Sequence, residues 1–336
     1  MFNKIYVSIK KYMKNNHNFL LFLVLLVIVL NIKLPYIVER PGGITPLKTQ
    51  IKIDDKYISG NYNSSYVKAN SGSVVSVIMG LLIPKWDVVK IDEYTPSDNL
   101  DYSDVINYEK ILMNQSHNFA IKYVFDKLEI PYNISKEKIY VYSNYEDFKT
   151  NLKTSDQIIK CDGNNVSLYE DLAGCINSSS DKNVDLTVIR NKKELTISSP
   201  IYFYEGRKVI GVVVIRDFDI ISDVKVTFGN NSNESGPSAG FMTALALYDN
   251  LSKKNLAKNL KIAGTGTIDE YGNVGEIDGI KYKLLGANNK VDVFFVPVRN
   301  YDEALDIVNK YKLNINVVYV MNLDDAISYL ETYNKE

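Results

Sequence analysis

Phe19 to Leu30 (FLLFLVLLVIVL) form an unbroken apolar run. Extended through Ile32, Leu34, Pro35, Tyr36, Ile37 and Val38, it reaches the ~20 residues that a bilayer span needs. The pattern then changes to short strand-like runs over 50–90, Ser73 to Ile78 (SVVSVI) among them. From Tyr102 to Leu128 apolar residues recur at helical spacing: Val105, Ile106, Ile111, Leu112, Phe119, Ala120, Tyr123, Val124 and Leu128. Over 136–200 the alternation predicts strands at Ile139 to Tyr142, at 156–161 before an Asp162-Gly163 turn, at Val184 to Ile189 and at Leu195 to Ile197. A short amphipathic helix is expected at Leu168 to Ile176. Beyond Gly211, Val212 to Ile215 and Val224 to Phe228 read as strands, and a polar loop leads into a helix at Phe241 to Tyr248. Ile262 to Ile268 reads as a strand closed by a turn at 269–273. The tail alternates strand and helix at 291–298, 301–312, 315–320 and 323–333, which predicts an α/β core.

Charge gives the first run a direction. Lys4, Lys10, Lys11 and Lys14 precede it, the first acidic residue is Glu39, and no small-x-small cleavage site follows. An uncleaved signal anchor over 19–38 is therefore expected, in contact with membrane lipid, with the basic tail 1–18 cytoplasmic and the rest outside. The 336 residues suggest two or three modules, and a net charge of −1 offers no electrostatic footprint for nucleic acid. No Gly-x-x-x-x-Gly-Lys-Ser/Thr string occurs, so neither ATP nor another cofactor is expected, and two Cys with two His offer little for a metal. Cys161 and Cys175 read as core thiols, although a disulfide is permitted outside the membrane. With His17 in the tail, His117 is the sole candidate catalytic imidazole, and its surroundings mark it as a surface or core residue. Nothing from Tyr102 to Leu128 looks catalytic.

The candidate chemistry lies at Gly236-Pro237-Ser238-Ala239-Gly240, where a serine stands between a Gly-rich turn and a helix start. Unpaired N–H groups there could hold an oxyanion, with the Gly236 and Ser238 backbone nearby. Equally, Pro237 could be an N1 proline and Ser238 an ordinary first-turn residue. Lys283, 45 positions on, is followed by Leu284 and Leu285. Burial there would disfavour its ammonium and make it a base. Lys281 points to another face and reads as a solvated lysine. Gly-Pro-Ser-Ala-Gly, Thr265-Gly-Thr-Ile268 and Val274-Gly-x-Ile-x-Gly-Ile-x-x-Lys283 together resemble the proteolytic domain of the Lon family of serine proteases, over roughly 205–336. The resemblance implies Ser238 as nucleophile, Lys283 as its base and Thr265 as the group orienting the lysine. Asp278 stands where that family has a glycine.

The series from Ser155 to Ile176 resembles a bacterial PDZ domain, with Ser155-Asp156 in place of the usual Gly-Asp. By that resemblance Ile139, Tyr140, Val141 and Tyr142 would line a groove that adds a ligand strand. The order of segments is similar to that of membrane-anchored PDZ–Lon-like proteases of Gram-positive bacteria. It implies an anchor at 19–38, an extracellular N-terminal region at 39–135, a β-rich PDZ-like domain at 136–200 and an α/β (α+β) Lon-type domain at 201–336. The expected activity is ATP-independent cleavage of peptides or exposed protein segments outside the membrane. A non-enzymatic surface adaptor is the alternative.

Overall fold

The computed structural model describes Tyr6 and residues 12–93, 102–135, 137–145, 147–229 and 234–333. Lys4, Lys10 and Lys11 of the basic tail lie outside the described residues. The apolar run is helical over His17–Leu30 (α1), 14 residues none of which is buried. Residues 33–38 do not continue it, which corrects the expected span of 19–38. Lys33–Pro46 instead form a strand, β1, with Ile37 and Val38 buried inside the protein. Among the described residues no helix is long and apolar enough to cross a membrane.

β1 pairs antiparallel with β2 (Tyr62–Ser73) and with β3 (Asp87–Lys90). Between β2 and β3 the expected strand at Ser73 to Ile78 is a helix, α2 (Val74–Leu82). The β-branched run is overridden by a cap: Ser76 N–H donates to Ser73 Oγ at 3.3 Å, and Ser73 N–H donates to Ser76 Oγ at 2.6 Å. Tyr102–Lys127 form the long helix α3, as the apolar spacing requires.

A second sheet follows. Its order is β7-β6-β5-β4-β8, where β4 is Lys138–Asn144, β5 Gln157–Cys161, β6 Asn183–Arg190, β7 Lys193–Pro200 and β8 Val212–Asp217. A helix, α4 (Tyr169–Ser178), covers it. Cys161 and Cys175 are joined in a disulfide between β5 and α4, Cα atoms 6.3 Å apart, rather than lying as two core thiols. Asp217 pairs with Lys138, so both ends of this module meet beside each other. Ser155 stands at φ +72°, a conformation that favours glycine, and its buried hydroxyl has no hydrogen-bond partner among the described residues. Ser155→Gly should therefore stabilise the protein by about 1 kcal/mol in chemical denaturation, because it removes both penalties.

After the module the chain returns to the first sheet. Gly240–Ser252 form α5, Ile262–Gly264 β9, Ile280–Ala287 α6, Val293–Pro297 β10, Tyr301–Tyr311 α7, Val317–Val320 β11 and Leu323–Tyr333 α8. The six strands run β11-β10-β9-β2-β1-β3, with β9 parallel to β2. This corrects the division at 201. Residues 33–93 and 102–127 belong to the same sheet and core as the C-terminal segment, and the 138–217 module is inserted between them. Alternation along β10 shows why: Val293 and Phe295 join a core with Val124, Phe241 and Leu330, while Phe294 and Val296 join one with Leu284 and Ile307. Both faces of the strand are thereby covered by helices.

Candidate active site

The Gly-Pro-Ser-Ala-Gly turn is shaped by α3. Gly236 takes φ +98°, and its N–H donates to the Glu109 carbonyl at 3.0 Å. A Cβ on Gly236 would lie 2.8 Å from Glu109 Oε2, and one on Gly240 would lie 1.9 Å from Ser116 Oγ. Ser116 Oγ in turn donates to the Pro237 carbonyl at 2.8 Å. Gly240 is thus demanded by close approach, and Gly236 by its positive φ. Pro237–Ala239 make one 3₁₀ turn before α5 begins. The Gly236 N–H, committed to Glu109, is not an oxyanion donor, which corrects that expectation. The Ser238 N–H lies at the start of the turn.

The Ser238 carbonyl accepts the Gly266 N–H at 2.9 Å and the Thr265 hydroxyl at 3.3 Å. Thr265 Oγ1 accepts from Lys283 Nζ at 3.1 Å. One buried threonine therefore touches both segments of the motif. A hydroxyl has a single proton. With that proton on the Ser238 carbonyl, the oxygen can only accept from the lysine. The lone pair of a neutral amine is then directed away from Thr265.

Lys283 is 4% exposed. Burial lowers its pKa from 10.5 to about 8, against the charges of Asp278, Glu109 and Glu39, which favour the ammonium. Burial raises the Glu109 carboxyl to about 7, opposed by Lys283 and reinforced by Asp278. Ser238 and Lys283 line one cavity of ≈ 1080 Å³ together with Gly236, Glu39, Glu109 and Asp278. Lys281 Nζ instead bonds Asp87 at 2.6 Å on the outer face of α6.

His117 also lines this cavity, stacked on Phe228 with ring centroids 3.9 Å apart. Burial pulls its pKa down to about 4, so the ring is neutral near pH 7. The helix at 102–127, where nothing catalytic is expected, thus supplies Glu109 and His117 to the cavity and Ser116 to the serine turn, and β1 adds Glu39. The signal was present in α3, whose inward stripe Val105, Leu112, Ala120 and Val124 is interrupted by Glu109 and Ser116, seven residues apart.

The expected peptide groove is overturned. β4, which carries Ile139, Tyr140, Val141 and Tyr142, pairs with β8 along one edge and with β5 along the other. Ile139 and Tyr140, paired on both sides, have no free edge to add a ligand strand. Ile139 and Val141 are core residues of the module, while Tyr142 packs on Tyr108 and lines the Ser238 cavity. Among the described residues no group of three or more His, Cys, Asp or Glu could hold a metal ion.

Residues 218–332 match the Lon protease (S16) C-terminal proteolytic domain. The chain is 33% identical over 96 residues to the Lon protease of Aster yellows witches'-broom phytoplasma, covering 28% of this chain and 12% of that protein. It is 24% identical over 261 residues to the Lon protease of Clostridioides difficile, covering 72% of this chain and 32% of that protein. The matches thus span only a fraction of those relatives' length. The PDZ domain of the SdrC-like protein from Listeria monocytogenes overlaps 23% of this chain and 86% of its own, at 19% identity and a TM-score of 0.21, too slight to assign a binding mode. The segment that carries Ser238, Thr265 and Lys283 is thus the one that matches the Lon-type proteolytic domain, and the relatives it resembles are serine peptidases named Lon protease.

Proposed function

We propose that this protein is a membrane-anchored, ATP-independent serine endopeptidase that cleaves peptides or exposed protein segments outside the membrane with a Ser238–Lys283 dyad. The observation that carries it is a buried lysine of lowered basicity, bonded through Thr265 to the backbone of the serine turn. A neutral Lys283 amine takes the Ser238 proton as Oγ bonds the scissile carbonyl carbon. The Ser238 N–H supports the oxyanion. The tetrahedral intermediate then breaks its C–N bond, and the Lys283 ammonium returns the proton to the leaving amine. Water, deprotonated by the same amine, hydrolyses the acyl-enzyme and regenerates Ser238.

Two features support an external site. The apolar side chains of α1, from Phe19 to Leu30, are all unburied behind Lys14, and the Cys161–Cys175 disulfide suits an oxidising compartment. The sequence contains no P-loop, so flexible or short substrates fit this reading. The inserted module, PDZ-like in its sequence, borders the cavity at Tyr142 and regulates entry without performing chemistry. A membrane-impermeant, serine-reactive probe on intact cells tests both parts. Labelling is expected without lysis and is lost in Ser238→Ala. Labelling only after lysis overturns the location, and labelling indifferent to Ser238 overturns the enzyme.

A further inference from the structure

Among the described residues, α2 presents a contiguous exposed apolar surface outside α1. Leu81 and Leu82 are each 75% exposed, and Val75, Ile78 and Met79 are exposed beside them. No charged residue occurs between Lys68 and Lys85. The helix is held to the sheet by its small residue: a Cβ on Gly80 would lie 2.5 Å from Val88 Cγ2. Its outward side is apolar throughout, a pattern that marks an interaction surface in a folded protein.

Its place in the fold says what covers it. The Ile32 carbonyl, two residues past the end of α1, accepts the N–H of Val74, the first residue of α2, at 3.1 Å. Lys33 pairs with Ser73 in the same ladder. The exit of α1 and the entry of α2 are therefore hydrogen-bonded together at one end of the sheet. A bilayer that holds α1 reaches its interface where α2 begins. Lys33 and Lys90, which pairs with Tyr36, lie toward that end of the sheet, and Lys85 and Trp86 follow the other end of α2, with the Arg40 guanidinium 5.2 Å from the Trp86 ring centroid. Basic and aromatic residues beside an apolar helix are the composition of a membrane–water interface.

We propose that α2 is a second membrane contact, lying in the outer interface of the bilayer with Val75, Ile78, Met79, Leu81 and Leu82 in the acyl boundary. This inference rests on the membrane anchoring proposed above. Two contacts joined by one hydrogen-bonded corner fix the tilt of the proteolytic domain on the membrane, which a single helix and a flexible link would not. A second copy of the chain is the competing occupant. The absence of any polar or charged group on the outward face, and its continuity with α1, favour lipid.

The test uses the full chain in phosphatidylethanolamine/phosphatidylglycerol vesicles. Trp86 is the one tryptophan, so Leu82→Trp combined with Trp86→Phe moves the sole reporter onto the exposed face. Its emission should shift to the blue on reconstitution and be quenched in vesicles of brominated lipid. Adding Leu81→Asp should relieve the quenching while the protein still pellets with alkali-washed vesicles through α1. Pelleting with unquenched emission overturns the inference and leaves the anchor standing. Failure to pellet overturns both. A detergent-solubilised dimer or larger assembly dispersed by Leu81→Asp, with no quenching in vesicles, assigns α2 to a second copy.

Discussion

Ser238→Ala should lower peptide hydrolysis by at least about 10³-fold, and Lys283→Arg should do the same, with folding and disulfide formation intact in both. The alanine removes only the hydroxyl. The arginine keeps a positive charge of similar reach, but a guanidinium does not give up its proton near neutral pH and cannot accept the one that Ser238 must lose. Because nucleophile and base act as one unit, the double variant should be little worse than either single one. Lys281→Ala is the internal control: its amine bonds Asp87 outside the cavity, so most activity should remain. Substantial turnover by Lys283→Arg, or a dead Lys281→Ala beside an active Lys283→Ala, would sink the assignment. Thr265→Val offers a third reading of the same geometry. It keeps the shape but leaves the buried Lys283 amine without the hydroxyl that turns its lone pair away, so kcat should fall while KM changes little.

How much of this was legible in the sequence depends on the range over which each signal acts. Local patterns carried well. The long helix at 102–127, the strand and helix of 317–333 and the strand leading into the Asp162-Gly163 turn follow from periodicity and turn chemistry alone. The Ser238 turn and Lys283 were likewise visible, because a Gly-Pro-Ser-Ala-Gly string and a lysine before two leucines are short motifs. What failed was long-range. Tyr62 to Ser64 lie beside Ile262 to Gly264 in parallel register, two hundred residues apart, and no local pattern announces that pairing. Local pattern therefore divides 39–135 from 201–336, as an N-terminal region and a complete domain on either side of the module. The same blindness hid Glu109 and Ser116, whose meaning comes from the turn they abut at 236–240. The apolar residues 33–38 were assigned to the membrane because hydropathy cannot distinguish a lipid-facing segment from an internal strand. At 74–82, strand propensity lost to a serine cap and to a glycine that fits against Val88.

The pH dependence of the intact enzyme should follow Lys283, with no step from His117, whose ring is already neutral above about 4. With the lysine at about 8, roughly a tenth of it is neutral at pH 7, so activity should climb about tenfold toward pH 9. The charged groups facing the amine are Asp278 on the turn before α6, Glu109 on α3 and Glu39 on β1, and each carboxylate favours the protonated form. Glu109→Gln removes one of them, so the rising limb should move to lower pH, whereas a merely structural Glu109 would leave the limb in place. Stability makes the complementary prediction. A buried lysine whose native pKa lies below its unfolded 10.5 binds fewer protons folded than unfolded, so its burial penalty is fully present below about pH 8 and fades as pH rises to 10.5. Lys283→Met keeps the volume and removes the penalty. It should be inactive yet more stable than the parent by about 3 kcal/mol at pH 7, with the advantage vanishing above pH 10.5. Denaturant titrations at pH 7 and pH 10.5 measure that difference. A Lys283→Met protein no more stable than the parent at pH 7 would mean that the lysine is solvated, and a solvated lysine cannot serve Ser238 as a base.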